Sequence, residues 1–270
     1  MKRSSQVKAN VNHPSATFEQ PVANLEMTAK KPIILIALPI LLATSSLTFG
    51  EDQVPQPPSI GESLPMALPV TGKQFAFIFD DGPRPESTPE LLDALKQANM
   101  KATFSLVGQN VSQYPDLARR IVAEGHEVAN RTWSNAELTS LTSEAIKSEI
   151  QAGYDIIVSV TGVKPRFLRP PGSQTSPEIE SIAASVGLMV LMQSLDSGDW
   201  RAPARGEVTR VILTGITPGA LVLAHESFPR SVAEMPKIIE ALAERGYRSR
   251  TVSDLKSQVG SGFFAGASFR

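Results

Sequence analysis

The chain has 270 residues, 41% of them apolar, enough to build one sizeable core. A net charge of −1 offers a polyanion no bulk attraction and gives no basis for nucleic-acid binding. The absence of cysteine removes disulfides, thiolate catalysis and thiolate-ligated metals, and only three histidines (His13, His126 and His225) remain for any imidazole site.

Residues 1–31 are polar and carry Lys2, Arg3, Lys8, Lys30 and Lys31. The stretch from Pro32 to Gly50 has no charge, and its apolar heart runs from Ile33 to Ala43, interrupted by Pro39. A lysine pair, an apolar run and a small-residue tail resemble a secretory signal, and a start at Met27 would make that signal an ordinary one. The uncharged stretch is also long enough to be an uncleaved membrane anchor. Lys30 and Lys31 on one side and Glu51 and Asp52 on the other place the remainder outside in both cases. Residues 1–50 are therefore expected to be a targeting region, and the protein to be periplasmic, envelope-bound or secreted, touching the membrane only through that segment. Residues 51–72 contain five prolines and read as an extended linker. The folded domain is expected over 73–258, with a flexible tail at 259–270.

Within the domain, strands and helices alternate. Phe75 to Phe79 are five consecutive apolar residues, a buried strand that runs into Asp80-Asp81-Gly82-Pro83. Pro89 to Leu95 reads as a helix, with Thr88 as N-cap and Pro89 in its first position. Ala102 to Val107 is a strand, and Asp116 to Glu124 a helix closed by Gly125. Thr142 to Ser159 carries Ile146, Ile150 and Ile157 at helical spacing. Arg166 to Leu168 and Leu188 to Met192 are strands, and Ser176-Pro177-Glu178 opens a helix between them. Ala220 to Ala224 is a strand ending at His225, and Val232 to Arg245 is an amphipathic helix followed by Gly246. Such repeated units predict an α/β fold with a parallel sheet, a distorted or incomplete (β/α) barrel.

Four polar clusters follow strands: Asp80-Asp81, Arg169-Pro170-Pro171-Gly172, Asp196 to Trp200, and His225-Glu226. A fifth, from His126 to Asn135, follows a helix and includes a short strand. Each alone reads as a turn, a structural ion pair, a loop or a buried histidine. Together they supply a base, a cation, an acid and a carboxylate partner for that acid, the set that amide hydrolysis needs.

The segment Phe77-Ile78-Phe79-Asp80-Asp81-Gly82-Pro83 resembles the first motif of the polysaccharide deacetylases, the NodB homology domain of carbohydrate esterase family 4. Gly125 to Asn135, Arg169 to Gly172, Asp196 to Trp200 and Leu221 to His225 resemble the next four motifs, in order. The resemblance covers Lys73 to Leu255. It implies N-deacetylation of an amino-sugar polymer, peptidoglycan or a chitin-like glycan. By position, Asp80 matches the general base, Arg169 its partner, His225 the general acid and Asp199 the carboxylate that orients the acid. Gly172 matches a backbone oxyanion donor, and Trp200 and Leu223 the walls around the acetyl group. Asp81 matches a ligand of the zinc-type metal that the family implies. The two metal-binding histidines are replaced by Arg131 and Asn135, and His126 matches a position upstream of them. Arg131 can pair with Asp81 and offer hydrogen bonds to an oxyanion, but it is no Lewis acid. Two readings follow: a deacetylase with an altered or metal-free site, and a catalytically impaired glycan-binding or cell-envelope protein.

Overall fold

The computed structural model describes residues 68–201 and 203–259. The expected targeting region, most of the proline-rich linker and the tail from residue 260 lie outside the described residues. Leu68, the first described residue, is already buried and donates its backbone N–H to the Gly219 carbonyl at 3.0 Å, a few residues ahead of Lys73.

The elements in chain order are β1 (Gln74–Gly82), α1 (Thr88–Gln97), β2 (Ala102–Leu106), α2 (Gly108–Gln113), α3 (Pro115–Ala123), β3 (Glu127–Asn130) and α4 (Ser143–Thr161). They continue with β4 (Phe167–Leu168), α5 (Pro177–Ser185), β5 (Met189–Val190), β6 (Leu195–Asp196), α6 (Glu207–Gly215), β7 (Leu221–His225), α7 (Pro229–Glu244), β8 (Arg248–Ser249) and α8 (Val252–Ser257). The sheet order is β5-β4-β3-β2-β1-β7-β6, with β8 also on β1, and every pairing is parallel. No ladder joins β5 to β6 among the described residues, so the barrel is incomplete.

Strand β1 is the centre of this sheet because it can be buried on both faces. Phe75, Phe77 and Phe79 point outward to Leu91, Leu95, Ile238 and Leu242 of the helical layer. Adjacent rings sit 4.8 and 5.4 Å apart. Burial of each phenylalanine contributes about 1.5–3 kcal/mol. Ala76 and Ile78 point inward, toward Leu221, Leu223, Ala129 and Phe167. The two-residue repeat then carries Asp80 to the interior, level with His225 of β7.

The sequence places Thr88 as the N-cap of α1, and the structure corrects this. Ser87 precedes the helix without a side-chain cap bond, and the Thr88 hydroxyl instead contacts the buried Glu226 carboxyl and accepts from Arg84 N at 2.7 Å. Ser176 does cap α5, accepting from Ile179 N at 3.2 Å. Helices α2, α6 and α8 are short, and α6 opens on Gly206 with no cap residue of its own. Glu234 of α7 does that work from outside, accepting from Gly206 N at 2.7 Å and Thr209 N at 3.0 Å.

Candidate active site

Strict alternation along β1 would point Asp81 away from Asp80. A register shift between Asp80 and Gly82 and a φ of 71° at Asp81 turn its carboxyl back into the site. The turn is held through the Asp81 carbonyl, which accepts from Asn110 Nδ2 at 2.9 Å and Arg84 Nε at 3.2 Å.

Arg131 and Asn135 reach the same place from the connection after β3. Thr132 and Asn135 adopt φ of 63° and 62°, and Asn130 steadies the bend by accepting from Thr132 N at 2.9 Å. Gly153 of α4 leaves room for it, since a Cβ there would stand 2.4 Å from Asn130 Oδ1. Arg131 Nε donates to Asp81 Oδ1 at 2.8 Å, and Arg131 Nη1 pairs with Asp80 Oδ2 at 2.6 Å. Asn135 Nδ2 donates to Asp81 Oδ1 at 3.3 Å, and Ser227 Oγ donates to Asp81 Oδ2 at 2.5 Å. Burial alone would raise the Asp81 carboxyl, but Arg131, the Ser227 hydroxyl and His225 outweigh it and hold it below the ordinary carboxylate value.

Arg169 extends from the end of β4 and is fully buried. Its Nε pairs with Asp80 Oδ2 at 3.2 Å, Nη1 donates to the Leu191 carbonyl at 3.2 Å, and Nη2 to Ser173 Oγ at 2.7 Å. Two guanidiniums therefore share one oxygen of Asp80, while Oδ1 is buried without a partner. His225 Nε2 lies 3.9 Å from Asp80 Oδ2. Its Nδ1 is 2.8 Å from Asp199 Oδ1, and its backbone N–H donates to Asp199 Oδ2, also at 2.8 Å. Burial would lower the His225 imidazole, but the Asp199 bond and the charges of Asp80, Asp199 and Asp81 raise it above the usual histidine value.

Arg131 and His225 face a cavity of about 340 Å³ lined also by Gly172, Leu223, Trp200 and Gln193. Trp200 is 49% exposed, and its indole N–H donates to Asp196 Oδ2 at 3.1 Å, which fixes the ring at the cavity wall. His126 is elsewhere, at the opposite end of β3, where Nδ1 accepts from Ala102 N at 3.2 Å. Burial and Lys101 push that imidazole down to about 4, so it is neutral and structural.

Sequence reasoning missed Ser227 and Gln193, and it grouped Glu226 with His225 without giving it a role. Neither Ser227 nor Gln193 carries a usable signal. Glu226 lies beneath Gly82, where a Cβ would stand 2.0 Å from Glu226 Oε1, and its backbone N–H donates to the Asp80 carbonyl at 2.9 Å. It therefore braces the β1 turn that aims both aspartates.

Residues 68–191 match the polysaccharide deacetylase family. A chitooligosaccharide deacetylase of Bradyrhizobium is 32% identical over 202 residues, covering 69% of this chain and 92% of that protein. The chain belongs to the polysaccharide deacetylase family. A peptidoglycan-N-acetylglucosamine deacetylase of Listeria monocytogenes is 34% identical over 197 residues, 72% of this deacetylase-family chain, which spans only 42% of the Listeria protein. Among solved structures, the peptidoglycan deacetylase PdaC of Bacillus subtilis superposes with a TM-score of 0.66 at 32% identity, covering 69% of this chain and 91% of that one. A carbohydrate esterase family 4 pseudoenzyme from Bacillus anthracis superposes with a TM-score of 0.64 at 27% identity, covering 68% of this chain and 66% of that one. A mutant of that pseudoenzyme is described as having restored enzymatic activity, and matches at a TM-score of 0.64 and 29% identity over 68% of both chains.

Polysaccharide deacetylases of this family generally use a divalent metal. The residues here do not fit a zinc-type ion. Hydrogen bonds already occupy most of the lone pairs of Asp81, Oδ1 accepting from Arg131 and Asn135 and Oδ2 from Ser227. The Arg131 guanidinium holds fixed positive charge against the same oxygen and would repel a second cation. Among the described residues no group of three or more His, Asp or Glu side chains is arranged to hold an ion.

Proposed function

We propose that this deacetylase-family chain is exported and recognises N-acetylated amino-sugar polymers in the family groove, with metal-dependent hydrolysis disabled. The observation that carries this reading is Arg131, whose guanidinium bridges Asp80 and Asp81 at 2.6 and 2.8 Å. It offsets part of the charge of the paired carboxylates but supplies neither a Lewis acid nor an acidified water. It also joins Arg169 on Asp80 Oδ2, so two guanidiniums occupy the oxygen of the family's base position. The intact cavity wall of Trp200 and Leu223 supports retained glycan recognition. The wall polymers named for the relatives, together with the Lys30-Lys31 apolar run, support an extracytoplasmic domain at 73–258 behind a targeting region at 1–50. No helix among the described residues is long and apolar enough to cross a membrane.

A second reading rests on the His225–Asp199 pair at 2.8 Å, which faces the cavity and raises the imidazole above its ordinary value. In that reading Asp80 Oδ1 takes a proton from water, Arg131 donates to the oxyanion, and His225 protonates the leaving amine, giving slow metal-free hydrolysis. Calorimetric binding of N-acetylglucosamine oligomers, run beside an amine-release assay with zinc and with chelator, separates the two. Binding without amine release in either condition is expected. Release that persists in chelator and is lost on Arg131→Ala selects the second reading. Release that requires zinc overturns the proposal.

A further inference from the structure

A second cavity, of about 550 Å³, lies between the start of α6 and the first half of α7. Three exposed cations line it, Arg205, Arg230 and Lys237, with one carboxylate, Glu234. That carboxylate is already committed to α6, where it accepts from Gly206 N, Thr209 N and Thr209 Oγ1. Among the described residues, neither Arg230 nor Lys237 has an ion pair or a side-chain hydrogen bond. The chain as a whole carries a net charge of −1, so this concentration of unpaired positive charge is local.

The cavity is built on the same two connections as the active site. The β6–α6 connection holds Asp196, Asp199 and Trp200 and then runs to Arg205, with Arg201 lying 4.6 Å over the Trp200 ring. The β7–α7 connection holds His225 and then Phe228, whose ring meets the imidazole edge-on at 5.5 Å, two residues before Arg230. One end of each segment thus bears the catalytic groups and the other bears a cation of the cleft, Arg205 or Arg230.

We propose that the cleft between α6 and α7 is an anion-accepting subsite for the carboxylates of a glycan strand. The chain would then select peptidoglycan strands freed of their stem peptides, whose muramyl sugars carry ionised lactyl carboxylates, over neutral chitin-like oligomers. The proposal rests on the glycan-binding reading above and adds the choice between the two polymer classes named for its relatives. Open cationic clefts raise the local concentration of an anionic ligand and lose that advantage in salt.

The test is calorimetry on the full chain with two tetrasaccharides: all N-acetylglucosamine, and N-acetylglucosamine alternating with N-acetylmuramic acid bearing free carboxylates. At about 0.05 M salt the muramyl ligand should bind about tenfold tighter, and at about 0.5 M salt the preference should collapse. Arg230→Gln with Lys237→Gln should abolish the preference and leave the neutral tetramer's affinity unchanged. Equal binding of the two ligands by wild type overturns the subsite and leaves the glycan-binding reading standing. A preference that survives in the double variant overturns it as well. Binding of neither ligand overturns both.

Discussion

Arg131 Nε meets Asp81 Oδ1 at 2.8 Å, although fifty residues separate them. The pair is buried, and Asp81 keeps its charge there because the guanidinium offsets the loss of water. Removing one partner leaves an uncompensated carboxylate. Arg131→Ala should cost about 3 kcal/mol near neutral pH, the low end for a broken buried pair because Asn135 and Ser227 still donate to Asp81. The folded Asp81 value lies below its ordinary 3.8, so this stabilisation is present above that value and is lost as pH falls through the folded one. Urea midpoints of both proteins should therefore differ at pH about 7 and draw together as pH falls below 3.8. A constant difference would contradict the ion-pair account.

Glu226 makes the opposite prediction. Burial pushes its carboxyl from 4.5 up to about 8, with the Thr88 and Ser87 hydroxyls offsetting only part of the shift. Between those values the folded state holds a proton that the unfolded chain has released. Stability should be full below 4.5 and fall as pH rises toward 8, by on the order of 5 kcal/mol at most. Glu226→Gln should flatten that slope and be the more stable protein at pH about 8. His225, also raised, contributes a loss in the same direction, but it is common to both proteins and cancels in the comparison.

The acid dyad is open to direct titration, because the sequence has only three histidines and burial holds His126 down to about 4. The His225 resonance should titrate above 6.5, and Asp199→Asn should bring it down, since the carboxylate that accepts from Nδ1 loses its charge. A His225 value unmoved by Asp199→Asn would remove the dyad from the account.

The parts of this molecule that periodic burial dictates were legible. The phenylalanine run of β1 has to be covered on both faces, which predicted a parallel sheet and placed Asp80 at its carboxyl edge. The family motifs brought Arg131 and Asn135 to the expected neighbourhood of Asp81. The sequence also anticipated an Arg131–Asp81 pair, but not the reach of the same guanidinium to Asp80, which depends on the bend through Thr132. Thr88 was misplaced because a threonine before Pro89 is an ordinary cap signal, whereas the buried Glu226 draws its hydroxyl. Ser227 and Glu234 were silent for a shared reason. Each acts on an element remote in sequence, and a lone polar contact leaves no repeat to read.

The central claim is that Arg131 and Asn135 are what separate this chain from an active deacetylase. Amine release from N-acetylglucosamine oligomers by Arg131→His with Asn135→His, measured with zinc and with chelator, tests it most directly. Histidines at both positions would offer, with Asp81, the three-ligand set of a catalytic zinc site. Wild type should keep no zinc through dialysis and release no amine, while the double variant should bind one zinc and release amine only when it is present. A double variant that binds zinc stoichiometrically yet stays silent, or a wild type that releases amine in chelator, would contradict the account.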